Sequence, residues 1–171
     1  GTFGEVSLAQ QREEIDLNVG VLVELTHLFL PMLEQKRGGV INVASTAAFQ
    51  PVPYMAVYGA TKAFVLSFSE ALWAEYRERG VRVLALCPGS TNTPFFDRIG
   101  RQAVVGELRR PDVLVDVALR AFDRNRSYVI DGFKNYWLAH GLRLVPRRTP
   151  LRVIASMMRP RPSLPSQGTG G

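Results

Sequence analysis

The sequence predicts an α/β fold, a doubly wound parallel sheet with helices on both faces. Two short apolar runs, residues 40–44 and 81–87, are mostly β-branched or small, as buried parallel strands are. A long helical run, residues 58–79, separates them, and this order is typical of a right-handed strand–helix–strand crossover. With 171 residues, of which 46% are hydrophobic, the chain suits one packed domain.

The elements before the crossover follow from apolar periodicity. Residues 11–37 carry apolar side chains over a wide helical face, so we predict one long helix, which Gly38 and Gly39 end. Residues 46–57, after the first strand, are rich in small residues and are predicted to form a loop. Its aromatic and apolar side chains fit either a substrate pocket or simple loop packing; they are Phe49, Val52, Pro53, Tyr54 and Met55.

The elements after the crossover complete the sheet. Residues 94–110 are predicted to form a substrate lid, with Phe95 and Phe96 suggesting an apolar substrate. A helix at residues 113–123 and a last strand at residues 127–130 follow.

The chain divides into three parts. Residues 1–134 are predicted to form the α/β domain. Residues 135–159 are predicted to be a basic, amphipathic helical extension that Pro146 and Pro150 break into short helices. Residues 160–171, rich in Pro, Ser and Gly, are predicted to be disordered.

Charge and cysteine content limit the function classes. Residues 1–97 have a net charge of −3, with seven basic and ten acidic residues, and residues 98–171 have +9, with fourteen and five. The sequence lacks the interleaved basic and aromatic residues that would indicate nucleic-acid binding. The basic extension is therefore predicted either to lie on an anionic membrane or to cover a subunit or the lid. No apolar run is expected to span a bilayer. The single cysteine, Cys87, suits a reducing compartment and a buried core position, so we expect a cytoplasmic protein, with membrane association left open.

The pair Tyr58 and Lys62 indicates proton transfer. A spacing of four places the phenol and the ammonium on one helix face, where the positive charge is expected to lower the Tyr58 pKa. Such a phenol can exchange a proton with a carbonyl or alcohol oxygen, which is half of a hydride-transfer reaction; the hydride needs a nicotinamide cofactor. On its own, a Tyr–Lys pair at this spacing is more often non-catalytic, with a solvent-exposed lysine stacked over the tyrosine ring. Here Ser45 ends one strand and residues 88–93 follow the next, so both are expected at the carboxyl edge of the sheet, where ligands bind.

Residues 1–96 resemble the short-chain dehydrogenase/reductase family. The resemblance rests on Asn18 in Asp-Leu-Asn-Val, Ser45 after Ile-Asn-Val-Ala, Tyr58 and Lys62 in Tyr-Gly-Ala-Thr-Lys, and the Pro-Gly pair with Thr93. It implies a Rossmann-like fold with Tyr58 as the acid/base and Ser45 as the group that polarises the substrate oxygen. Lys62 would bind the nicotinamide ribose, and Asn18 would hold a water that links Lys62 to solvent. The residues implied to face the nicotinamide carboxamide are Pro88, Gly89, Thr91 and Thr93.

The chain departs from the family pattern at its start. No Gly-rich phosphate loop is present, so we expect an N-terminally truncated domain that binds cofactor weakly and has little activity alone. The residue that selects NAD or NADP lies in that missing half, and NADP is slightly favoured from similar family members. No metal site is expected.

The resemblance also implies partners. Helices at these positions in the family often pack against a second subunit, so a homo-oligomer and a small carbonyl or alcohol substrate are expected. One alternative is a non-catalytic membrane- or protein-interaction module derived from a reductase. A serine hydrolase is disfavoured, because Ser45 lacks the Gly-x-Ser-x-Gly turn and neither His27 nor His140 lies in a motif that marks a base.

Overall fold

The computed structural model describes residues 1–94, 104, 108–141, 146 and 148–159. These residues include a three-stranded parallel sheet with the strand order β1-β2-β3. Its strands are β1 (Gly39–Val43), β2 (Arg82–Cys87) and β3 (Tyr128–Ile130). Gly39 lies opposite Arg82, and Cys87 lies opposite Ile130. The predicted Rossmann-like parallel α/β class is confirmed.

The first helix begins earlier and is less regular than the sequence predicted. It comprises α1 (Leu8–Ile15), a π-helical segment (Asp16–Gly20) and α2 (Val21–Lys36). The Ser7 hydroxyl accepts a hydrogen bond from the backbone amide of Gln10 and so caps the start of α1. Single π turns inside α-helices often occur at functional positions, and this one contains Asn18.

The other helices lie close to their predicted positions. They are α3 (Ala56–Tyr76), α4 (Pro111–Asp123), α5 (Phe133–Gly141) and α6 (Arg148–Met158). The predicted loop after β1 includes a 3₁₀ turn, Thr46–Phe49. The prediction that Pro150 breaks the helical extension is wrong. Pro150 lies in the first turn of α6, where its missing N–H would have no intrahelical partner in any case.

Several predictions concern residues outside the described part of the chain. These are Phe95 and Phe96 of the predicted lid and the predicted disordered tail at residues 160–171.

Strand β2 is buried on both faces, as the central strand of a doubly wound sheet must be. On one face Ala85 and Cys87 pack with Val65 and Leu66 of α3. On the other face its leucines pack with α4; the residues of this cluster are Leu84, Leu86, Ala118 and Ala121. Alternating side chains therefore fix α3 and α4 on opposite faces of the sheet.

A buried polar contact also ties α3 to the sheet. The Asn42 amide in β1 donates a hydrogen bond of 3.0 Å to the Ser69 hydroxyl, which in turn donates to the Val65 carbonyl at 2.7 Å. Because both side chains are buried and hydrogen-bonded to each other, the contact sets the position of α3 along β1.

The continuous helix Leu8–Lys36 is long and apolar enough, by length and composition alone, to cross a membrane, contrary to our expectation of no such run. Many of its apolar side chains are exposed, among them Leu17, Leu25, Leu28, Phe29 and Met32.

Candidate active site

Tyr58 and Lys62 lie in the first two turns of α3 and face the carboxyl end of β1. The Lys62 Nζ atom lies 5.7 Å from the centroid of the Tyr58 ring. The same atom donates a hydrogen bond of 3.0 Å to the carbonyl oxygen of Val43, the last residue of β1. The start of the helix and the end of the strand are thus joined through the lysine.

Ser45 completes the predicted triad of side chains. It follows β1 in extended conformation, and its hydroxyl accepts a hydrogen bond of 3.1 Å from the Ala47 amide, which caps the 3₁₀ turn. Its side chain also forms a hydrogen bond with Tyr58. The phenol, the hydroxyl and the ammonium therefore meet at one edge of the sheet, although their distances in sequence differ.

Asn18 reaches this site through Thr61. The Asn18 amide donates a hydrogen bond of 3.1 Å to the Thr61 hydroxyl, which donates to the Tyr58 carbonyl oxygen at 2.9 Å. Thr61 is 4% exposed, and the sequence analysis assigned it no role. Its position between Tyr58 and Lys62 was the only signal that could have identified it.

The loop after β2 lies beside the first loop. The Thr46 amide donates a hydrogen bond of 2.9 Å to the Pro88 carbonyl oxygen, which joins the segments that follow β1 and β2. Within the second loop the Thr91 hydroxyl donates to the Gly89 carbonyl at 3.2 Å, and the Thr93 hydroxyl donates to the Thr91 carbonyl at 3.4 Å. The predicted cofactor-facing residues thus lie in one loop segment at the same edge as Ser45.

An ion pair that the sequence analysis missed holds the base of this loop. The Arg109 guanidinium binds both carboxylate oxygens of Asp131, at 2.9 Å each. Asp131 is 1% exposed and directly follows β3. The backbone of Arg109 also pairs with the loop, because its amide donates to Ser90 and its carbonyl accepts from Asn92. Twenty-two residues separate the two partners, so no local pattern marks the pair.

The pKa of Tyr58 is raised, which is opposite to the expected direction. Burial of the phenol is the main cause, the hydrogen bond with Ser45 opposes it, and the charge of Glu14 adds to it. The Lys62 pKa is lowered, because burial disfavours its charged form, while Glu14 again acts in the upward direction. Burial therefore sets the direction of the Tyr58 shift, and the expected lowering by Lys62 is wrong.

Side chains considered for a substrate pocket serve in part as packing. Phe49 packs against the buried cluster between the sheet and α3, and Val52 is 8% exposed. The Cys87 thiol is fully buried, and burial raises its pKa to about 12, in agreement with a structural role. Among the described residues no group of histidine, cysteine or carboxylate side chains suits a metal ion.

Comparison with known proteins agrees with this fold. A family model described as short chain dehydrogenase matches residues 1–103, which is more than half of the chain. The chain therefore belongs to the short-chain dehydrogenase family.

Curated relatives match about half of the chain. Mouse 17-beta-hydroxysteroid dehydrogenase type 3 is 43% identical over 81 residues, which are 47% of this chain and 27% of that protein. Serine 3-dehydrogenase from Agrobacterium fabrum is 38% identical over 91 residues, which are 53% of this chain and 36% of that protein. The matched region thus spans only about a third of the length of these relatives or less.

Solved structures match more of the chain. A short-chain dehydrogenase from Sphingobium yanoikuyae in complex with NADPH has a TM-score of 0.73 and 30% identity, and covers 98% of this chain and 63% of that chain. A 7beta-hydroxysteroid dehydrogenase has a TM-score of 0.79 and 26% identity, and covers 91% of this chain and 62% of that chain.

Proposed function

We propose that this chain carries the proton-transfer half of a nicotinamide-dependent oxidoreductase that interconverts a carbonyl and an alcohol. The observation that supports it most is the meeting of Tyr58, Ser45 and Lys62 at the carboxyl edge of a parallel sheet. Ligands of such sheets bind at this edge, and acid/base chemistry on oxygen needs a hydroxyl donor and a second polarising group there.

Tyr58 is the acid/base in this proposal. In carbonyl reduction its Oη atom gives a proton to the substrate oxygen, and in alcohol oxidation the phenolate takes that proton back. Ser45, hydrogen-bonded to Tyr58, holds the same substrate oxygen and polarises it. Because burial raises the Tyr58 pKa, the side chain is a neutral phenol at neutral pH, the form that carbonyl reduction requires.

The donor groups at this edge fit a nicotinamide nucleotide. An ammonium has three N–H donors, and among the described residues Val43 accepts one from Lys62, so donors remain for ribose hydroxyls. The loop of Pro88, Gly89, Thr91 and Thr93 brings hydroxyl and backbone groups to the same edge and would hold the carboxamide end. The cofactor supplies or accepts the hydride when it is bound.

The coenzyme of this chain is proposed to be NADP or NAD. Two solved relatives contain NADPH or NADP, and a 3-ketoacyl reductase from Brucella melitensis contains NADH. Coenzymes of both kinds therefore occur among the solved relatives. Asn18 is proposed to hold a water that connects Lys62 with solvent. Its side-chain amide is hydrogen-bonded to Thr61, which lies between Tyr58 and Lys62 on α3.

Substrate, assembly and location are extensions of the proposal. The substrate is proposed to be a small apolar carbonyl or alcohol compound, as the hydroxysteroid and ketoacyl relatives suggest.

The exposed apolar residues of Leu8–Lys36 are proposed to pack against a second subunit. The protein is proposed to be cytoplasmic, with peripheral membrane contact through α6, where Val153 and Met157 are exposed beside arginines.

The decisive experiment is Tyr58→Phe in the complete protein. We expect turnover with NADPH or NADH and a panel of aldehydes and ketones to be lost, while NADPH affinity measured by calorimetry stays within a few fold. Tyr76→Phe, at the far end of the same helix, is the matched control and should keep its activity. Turnover by Tyr58→Phe at the wild-type rate would refute the assignment.

The alternative of a non-catalytic interaction module rests on the amphipathic helix α6. Liposomes with and without anionic lipid, sedimented with the chain and with a version lacking residues 135–171, distinguish the two. Tail-dependent binding together with an absence of turnover in the complete wild-type protein would favour the module.

A further inference from the structure

Arg109 and Asp131 form a bidentate ion pair beside the loop that is proposed to hold the nicotinamide. The guanidinium atoms Nε and Nη2 of Arg109 each donate a hydrogen bond of 2.9 Å to a different carboxylate oxygen of Asp131. The Asp131 side chain is 1% exposed, so its charge is removed from water and is balanced by the guanidinium. Two parallel hydrogen bonds fix the orientation of the two side chains as well as their distance.

The backbone of Arg109 reaches the middle of the nicotinamide loop, which comprises residues 88–93. Its amide donates a hydrogen bond of 2.9 Å to the Ser90 carbonyl oxygen, and its carbonyl accepts one of 2.8 Å from the Asn92 amide. Arg109 and Thr91 are thereby paired as an isolated parallel bridge. So short a pairing is only marginally stable by itself, so we expect the ion pair of the Arg109 side chain to hold it in place.

Asp131 reaches the start of the same loop. Its amide donates a hydrogen bond of 3.3 Å to the carbonyl oxygen of Cys87, the residue that precedes the loop. Its carbonyl accepts one of 2.7 Å from the Asn135 side-chain amide, and a Cβ atom on Gly89 would collide with that amide. The start and the middle of the nicotinamide loop are therefore held by two residues that are bonded to each other.

We propose that Arg109 and Asp131 are positioning residues for the coenzyme, and that their ion pair fixes the nicotinamide loop in the conformation that receives the carboxamide. The inference rests on the function proposed above. A buried ion pair suits this task, because desolvation of the carboxylate offsets much of the Coulomb attraction while the bidentate geometry still sets the position of both segments. A loop that is already in its binding conformation loses little entropy when the coenzyme binds.

Breaking the pair should weaken binding of the nicotinamide end selectively. If Arg109→Met leaves the loop in its binding conformation about one-tenth of the time, the dissociation constant for NADPH rises about tenfold. The analogue 2′-phospho-ADP-ribose lacks only the nicotinamide ring, so its affinity should change by less than about twofold. ADP-ribose is the corresponding analogue of NADH.

A double variant separates the position of the loop from the stability of the fold. Arg109→Met leaves a buried carboxylate unpaired, whereas Arg109→Met combined with Asp131→Asn removes both charges at nearly unchanged shape. The double variant should therefore be more stable than Arg109→Met in urea unfolding, while its NADPH affinity should remain as low. Arg110→Met is the matched control, because the ion pair of Arg110 with Asp112 is exposed, and it should leave both affinities unchanged.

The test is calorimetric titration of the complete wild type and these three variants with NADPH, NADH and the two analogues. Hydrogen exchange of the amides in residues 88–93, measured without ligand, should be faster in Arg109→Met and in the double variant but not in Arg110→Met. A selective loss of dinucleotide affinity, with the analogue still bound, supports the proposal.

Three results would overturn the proposal. They are an unchanged dinucleotide affinity in Arg109→Met, an equal loss of dinucleotide and analogue, and a double variant that regains NADPH affinity together with stability. A wild type that binds NADPH or NADH but converts no carbonyl compound would refute the proposed function instead, while the affinities would still decide the role of the ion pair.

Discussion

The side-chain amide of Asn18 donates a hydrogen bond of 3.1 Å to the Thr61 hydroxyl, across 43 positions of sequence. This bond attaches the π-helical segment to the turn of α3 between Tyr58 and Lys62. It therefore joins the residue proposed to hold the relay water to the residues proposed to transfer the proton.

Thr61→Val should loosen this attachment. Valine keeps the shape of threonine but offers no acceptor, which leaves the partly buried Asn18 amide unsatisfied, so the free energy of unfolding should fall by about 1–2 kcal/mol. Turnover should fall about tenfold, because Asn18 is no longer fixed. Thr61→Ser retains the hydroxyl and serves as the control in urea unfolding and steady-state assays. Equal losses in both variants would mean that packing, rather than the hydrogen bond, is responsible.

The Arg109–Asp131 pair should matter far more than its neighbour. Arg109→Met leaves the buried Asp131 carboxylate unpaired and should destabilise the fold by about 2 kcal/mol, a value that allows for the 43% exposure of the arginine. Arg110→Met removes an ion pair with Asp112 whose side chains are 77% and 60% exposed, and should cost less than about 1 kcal/mol. Chemical denaturation of both variants measures the difference. If Arg109→Met and Arg110→Met lower the free energy of unfolding by the same small amount, the buried Asp131 carboxylate does not need its partner.

Two glycines should respond oppositely to alanine. A Cβ atom on Gly39 would clash with the Arg82 carbonyl oxygen and lie 2.5 Å from the Phe122 ring, so Gly39→Ala must displace β1 from β2 and should cost about 2 kcal/mol or more. Gly20 has open space around it, and Gly20→Ala should be neutral or stabilise by up to about 1 kcal/mol. Thermal unfolding compares the two. A neutral Gly39→Ala would contradict the close approach of the strands.

The Cys87 thiol should be unreactive in the folded protein. With a pKa of about 12, only about one molecule in ten thousand carries a thiolate at pH 8, and the sulfur is fully buried. Iodoacetamide at pH 8, monitored by mass spectrometry, should label it only in denaturant. Because the folded pKa exceeds the unfolded one, its contribution to stability is complete below about pH 9 and is lost as pH rises toward 12. Rapid labelling of the native protein would contradict the burial.

The two directions of the reaction should differ in their dependence on pH. Because the Tyr58 pKa is raised, the phenol stays protonated through neutral pH and can donate its proton to a carbonyl. The rate of reduction should be nearly constant from pH 6 to 8, whereas oxidation should increase with pH as phenolate forms. Initial rates in both directions across this range test it. Oxidation that is independent of pH would argue that another group accepts the proton.

The sequence by itself determined the strands, the order of the elements and the neighbourhood of Ser45, Tyr58 and Lys62. Apolar runs and glycine or proline boundaries are local signals, and a parallel sheet brings its carboxyl ends to one edge. A spacing of four on a helix likewise needs no tertiary information. These features were predictable because each depends on residues close together in the chain.

The tertiary structure alone decided the remaining features of the site. The contacts of Asn18 with Thr61 and of Arg109 with Asp131 join distant positions, which no local pattern marks. The direction of the Tyr58 pKa shift depends on burial and on Glu14, and both arise only when α1 packs against α3. Desolvation is a property of the packed environment, so a spacing rule that counts only the nearby lysine gives the wrong sign.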